Sequence, residues 1–181
     1  MKTTPDPALD GITHINIYSA GRTELGQELS HFRRRPIVHP MLGHFDSNEG
    51  LWYWTSRRDD RLRHLSGFQA KQLGRSLPKV VELPEDEFQH IINLGNEAKL
   101  NTYPQIKQAL IESVLPLTHY YAKAYNGVMT VKAPTGSEWI LAFFEQVRLE
   151  HNPAADITNI KFLQQAMARR EADTSLQGSL F

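Results

Sequence analysis

Apolar residues in this chain recur mostly at three- and four-residue intervals, the spacing of helices packed on a core, while alternation by two is confined to short stretches. Residues 12–18, ITHINIY, set Ile15 and Ile17 in alternation and predict a first strand. From Thr23 to Pro40 glycine, serine, arginine and proline are mixed, and a short helix or irregular segment is expected around residues 25–32. Asp46 followed three residues later by Glu49 is a capping-box pattern, so a helix is expected from Ser47 to about Ser56. Residues 62–74 read as one or two further helical turns ending at Gly74, placed as a C-cap with Arg75 near the last carbonyls.

Pro84 followed by Glu85, Asp86 and Glu87 opens the next helix, with acids at its positive end and Phe88, Ile91, Ile92 and Leu94 directed inward. Another helix is expected from Thr102 to Leu115, where Ile106, Leu110 and Val114 repeat at four-residue spacing after Pro104. Residues 128–133, VMTVKA, predict a second strand, expected to pair with the first. Ser137 caps a strongly amphipathic helix over residues 138–151, and a last helix is expected over 157–171 before a polar tail. The pattern contains no internal repeat. The fold class is α+β, predominantly helical with a small β-sheet. Residues 1–11 form a flexible arm, 12–152 the domain, and 153–181 a C-terminal helix and tail.

Composition narrows the picture. A length of 181 residues suits one core, and 40% hydrophobic with 22% charged residues is a globular balance. Lys+Arg and Asp+Glu are equal at 20 each, which excludes a strong whole-molecule pull toward nucleic acid or membrane. The charge is nonetheless uneven. Arg33, Arg34, Arg35, Arg57, Arg58, Arg61, Arg63, Lys71 and Arg75 precede an acidic run at Glu82 and Glu85–Glu87, a layout that suits either a phosphate-bearing ligand or a solvated mixed surface. The absence of cysteine removes disulfides, thiolate nucleophiles and Cys-based zinc sites. The eight histidines show no HExxH spacing, so neither a metal nor a cofactor is expected. No stretch approaches the roughly 18 apolar residues of a membrane span, and a cytoplasmic location is expected.

Candidate chemistry centres on residues 44–54, HFDSNEGLWYW. Glu49 either reaches back to the Asp46 amide as a capping acid, with Leu51, Trp52 and Trp54 as core, or it faces a cleft. In a cleft the carboxylate could activate water or stabilise a positive anomeric centre, with aromatic faces stacked on a base.

Taken in order, INIYS (15–19), LSHF (29–32), PIV (36–38), DSNEGLWYW (46–54) and AKQLGR (70–75) resemble the NADAR, or YbiA-like, superfamily. That family opens with a strand like I-N-F-Y-S and continues through S-N-F and W-x-S-E-H-Y-F-Q-A to A-x-x-x-G-R. Residues 93–114 also resemble its paired helices, and the likeness spans roughly residues 12–150. It implies a pocket for a ribosylated nitrogen base and N-glycosidase activity toward an ADP-ribosylated base, such as guanine in nucleic acid, or a ribosylamino-pyrimidine nucleotide. Glu49 stands at the family's acidic position and is the implied catalytic residue. Phe32, Asn48, Trp54, Lys71 and Arg75 are the implied substrate-binding residues. Asn48 and Gly50 replace the family's usual Ser and His, Ser56 occupies its lysine position, and Asn126 and Gly127 are what remains of its W-G-D-G segment. These departures leave open a non-catalytic nucleotide- or ADP-ribose-binding module, or a protein-interaction module. The opening is also similar to bacterial and bacteriophage proteins. The terminal QGSLF resembles a bacterial sliding-clamp-binding motif, which implies docking through Gln177, Leu180 and Phe181.

Overall fold

The computed structural model describes residues 5–126, 128–136 and 138–153. The elements run β1 (Ile15–Asn16), α1 (Glu24–Leu29), β2 (Ile37–His39), β3 (Gly43–Phe45), α2 (Asn48–Arg57), α3 (Gly67–Ser76), α4 (Glu85–Thr102), α5 (Pro104–Glu112), β4 (Leu117–Thr118), β5 (Tyr121–Tyr125), β6 (Val128–Lys132) and α6 (Glu138–Leu149). The α+β class with predominant helix is therefore observed, although the sheet is three separate strand pairs. The expected C-terminal helix, the Ser137 cap and the tail residues Gln177, Leu180 and Phe181 lie outside the described residues.

Strand pairing differs from the expectation. β1 pairs in parallel with β4, Ile15 opposite Leu117 and Asn16 opposite Thr118, whereas β6 pairs antiparallel with β5. A third pair, β2 with β3, forms a hairpin with Ile37 opposite Phe45. Within residues 5–11, Pro7–Leu9 form a 3-10 turn, and buried Asp10 accepts the amides of Asn16 and Arg22.

Two apolar clusters hold the elements together, and α4 belongs to both. Leu100 joins Ile15, Leu29, Ile106, Leu110, Leu117 and Phe144, while Ile91 and Ile92 join Ile37, Phe45, Leu51 and Trp139. Burial of this kind contributes about 1.5–3 kcal/mol for each large side chain. Val114, expected on the buried stripe of α5, is 52% exposed because the helix ends at Glu112.

The start of α2 is shifted by one residue from the expected register. Ser47 is the N-cap: its Oγ accepts the Gly50 amide at 3.0 Å and donates to the Leu65 carbonyl at 2.8 Å. Asp46 lies one residue outside, its amide donating to the Arg63 carbonyl and its carboxylate held by Arg34 and His44. No capping box forms, because Glu49 is the second helical residue and the third is Gly50, whose Cα packs on the Leu62 carbonyl. Gly74 is likewise no C-cap. α3 continues to Ser76, and the glycine is there because the Tyr53 ring lies against its Cα.

Candidate functional site

Glu49 sits in the first turn of α2. Its amide donates to the His31 carbonyl at 3.0 Å, and the face of α2 that carries it also carries Tyr53 and Arg57 at four-residue intervals. That face meets α3. Tyr53 packs on Gly74, and Arg57 Nε donates to the Gly74 carbonyl at 2.8 Å. Close approach of the two helices brings Glu49 into the field of Lys71 and Arg75. Among the described residues none hydrogen-bonds the Glu49 carboxylate or forms an ion pair with it. Burial pushes its pKa up to about 7, and the two cations only partly oppose that rise.

Aromatic rings line the Lys71 side of the site. The Lys71 ammonium lies 5.2 Å from the centre of the Phe32 ring and 5.9 Å from that of Tyr121. Tyr18 meets Tyr121 edge-on at 5.3 Å, and His119 meets it at 5.2 Å. Asn16 fixes this corner. Its side-chain amide donates to the Tyr120 carbonyl and accepts the Tyr120 N–H, which holds His119 and Tyr121 on either side of that residue. The Ile17 carbonyl can only accept, so the 2.6 Å contact places a proton on His119 Nδ1. Burial and the nearby Lys71 charge lower the His119 pKa, while burial and the Glu49 charge raise that of Tyr121.

Beneath the site lies a buried polar layer. Lys99, fully buried, donates to the carbonyls of Glu28 and Ser30 at 3.0 Å each and to that of Leu29 at 3.4 Å, closing the end of α1 just before His31 and Phe32. Burial holds its pKa down to about 7. His31 donates to Asn96 Oδ1 at 2.9 Å, the oxygen that also accepts Asn48 Nδ2 at 2.7 Å. Burial and the Lys99 charge take the His31 pKa down to about 3, so its ring is neutral.

Of the residues singled out from sequence, the structure gathers Glu49, Phe32, Lys71 and Arg75. It places Asn48 in the buried layer, on Asn96 of α4. It places Trp54 on another face of α2, where the indole donates to Asp60, meets Phe45 edge-on and lies under the guanidinium groups of Arg58 and Arg63. Ser56 offers its carbonyl to the amides of Val80 and Val81, and Asn126, at φ 48°, occupies the β5–β6 connection. Two surface hollows lie elsewhere, one of about 300 Å³ between α1 and α5 and one of about 520 Å³ beside Val38 and α4. Sequence reasoning passed over Tyr18, Tyr53, His119 and Tyr121. The aromatic run THYY, four residues ahead of an Asn-Gly pair, was the available signal for the last two, since it marks a hairpin strand. Among the described residues no group of three or more acidic or histidine side chains could hold a metal ion, and no helix is long and apolar enough to cross a membrane.

No protein-family model matches the chain, and no curated protein matches it. Among solved structures, the NMR structure of the E. coli protein YbiA superposes with a TM-score of 0.54 at 16% sequence identity, covering 76% of this chain and 84% of YbiA. The fold is YbiA-like. At that identity the likeness to YbiA concerns the path of the chain, and what the YbiA-like scaffold does here rests on the residues it gathers.

Proposed function

We propose that the protein is a NADAR-like N-glycosidase that hydrolyses the C–N bond between a ribose and a nitrogen base in a phosphate-bearing nucleotide. The observation that carries this reading is Glu49: a carboxyl group raised to about 7, unbonded by any described residue, beside two cations and a wall of rings. At neutral pH such a group is part acid and part carboxylate, the condition in which general acid–base catalysis is most effective. Lys71 and Arg75 hold phosphate oxygens, and Phe32 and Tyr121 offer faces to the sugar and base. The YbiA-like fold and the ordered sequence motifs support membership of that superfamily. The substrate is an ADP-ribosylated base, such as guanine in nucleic acid, or a ribosylamino-pyrimidine nucleotide.

The test is direct. Incubation with an ADP-ribosylated oligonucleotide and with ribosylamino-pyrimidine phosphate should release free base or free sugar phosphate from one of them, and Glu49→Gln should abolish release while retaining the fold. A second reading, a nucleotide-binding module without turnover, is favoured by Ser56 at the family's lysine position and by the absence of a second carboxylate interacting with Glu49 among the described residues. A thermal shift with ADP-ribose but no product from either substrate would select it.

A further inference from the structure

His119 has the geometry of a base whose role nothing above has used. It stands between β4 and β5, half-buried, and its ring packs on Tyr121, the same ring that faces Lys71. The Ile17 carbonyl holds the proton on Nδ1, so the lone pair is on Nε2, and no described residue bonds that nitrogen. The tautomer is therefore fixed by the backbone carbonyl of Ile17, the residue that follows β1. A histidine whose Nδ1–H is tied to a carbonyl presents an oriented acceptor at Nε2. The charged and titratable groups facing it are Lys71 from α3, His31 from the segment after α1, and Tyr121 from β5.

Resting on the glycosidase reading, we propose that His119 is a second catalytic group: its Nε2 takes a proton from the attacking water while the carboxylic acid of Glu49 protonates the departing nitrogen of the base. The water oxygen forms the new bond to the anomeric carbon, and the C–N electron pair leaves with the base. One proton enters His119 and one leaves Glu49, so the pair is reset by transfer between them through solvent. The environments support this division of labour. Burial, with the Lys71 charge adding to it, favours the neutral form of His119, while burial keeps a share of Glu49 protonated. The second carboxylate that Glu49 lacks is thereby replaced by an imidazole.

Single-turnover rates are measured from about pH 5 to about pH 9 on the two substrates named above, for the full chain and for His119→Asn, His119→Ala and Glu49→Gln. The Asn amide can still donate to Ile17 but supplies no base. His119→Asn should melt with the unsubstituted protein, lose about 100-fold or more in rate, and lose the acid limb of the pH profile; imidazole should restore part of the rate to His119→Ala. A long-range proton–nitrogen NMR spectrum of the unsubstituted protein should show the proton on Nδ1, independently of how any variant folds. A proton on Nε2, or a His119→Asn rate within a few-fold of normal with its acid limb intact, overturns the role of His119 and leaves that of Glu49 standing. A full chain that turns over neither substrate removes both.

Discussion

The Tyr53 side chain packs against the Cα of Gly74, and this contact sets the distance between the helix that carries Glu49 and the helix that carries Lys71 and Arg75. In open space a glycine-to-alanine change inside a helix adds stability, by about 1 kcal/mol. Here a methyl group would overlap the Tyr53 side chain at Cβ, Cγ and Cδ1, and the arginine bond to the Gly74 carbonyl ties the two helices so that neither moves away cheaply. Gly74→Ala is therefore expected to destabilise, by about 1–3 kcal/mol, as overpacking does. Urea unfolding measures the cost, and affinity for ADP-ribose should fall with it because the site is spread.

Glu49 stores a cost that can be read from the pH dependence of stability. Its pKa is about 7 in the folded protein against an ordinary 4.5, so the folded state holds the proton more tightly than the unfolded state. Stability from this group is fully present below about 4.5, falls as pH rises, and is lost above about 7. Replacement by glutamine removes the penalty. Glu49→Gln should match the parent at pH 4 and exceed it at pH 8 by about 1–3 kcal/mol, once solvent at the half-buried carboxyl is allowed for. Equal urea midpoints at pH 8 would mean that the carboxylate is well solvated, and the catalytic assignment would lose its basis.

What the chain discloses depends on how local the cause is. α2, α4 and α5 were legible because caps, prolines and apolar spacing are set within a few residues. Ser47 rather than Asp46 caps α2 because its hydroxyl can also reach the Leu65 carbonyl, a partner no local rule supplies. Gly74 resembled a helix end because glycine usually marks one, and the ring that explains it is contributed from another helix. β1 and β4 are two residues each and pair across about a hundred positions, too short for alternation to show. His119 is a lone histidine in sequence, and only its carbonyl partner on Ile17 makes it distinctive.

Lys99 supports the floor on which Phe32 and His31 rest. Three carbonyls at the end of α1 depend on its ammonium group, and no other described donor reaches those of Leu29 and Ser30. Lys99→Met sheds a buried charge but leaves these acceptors dry, and each unmet buried group costs about 1–3 kcal/mol. The expected outcome is a net loss of at least about 1 kcal/mol in urea unfolding. Proteolysis in the native state should open first at residues 30–35.

Lys71 acts on Glu49 across space, not through a bond, and this separates its two effects. Its positive charge lowers the Glu49 pKa, against the larger rise caused by burial. In Lys71→Met the carboxyl should therefore titrate above 7, and a carbon-13 titration of the Glu49 carboxyl follows that shift without any substrate. The same change removes one charged contact to phosphate, worth about 1.5–3 kcal/mol, so ADP-ribose affinity should drop roughly 10- to 100-fold. Trp54→Phe is the control. Its indole packs against the guanidinium groups of Arg58 and Arg63 and donates to Asp60, so the substitution should cost stability and leave both the Glu49 titration and ADP-ribose affinity unchanged. If Lys71→Met leaves the titration where it was, the ammonium lies too far from the carboxylate to share a ligand with it, and the site must be redrawn around Arg75.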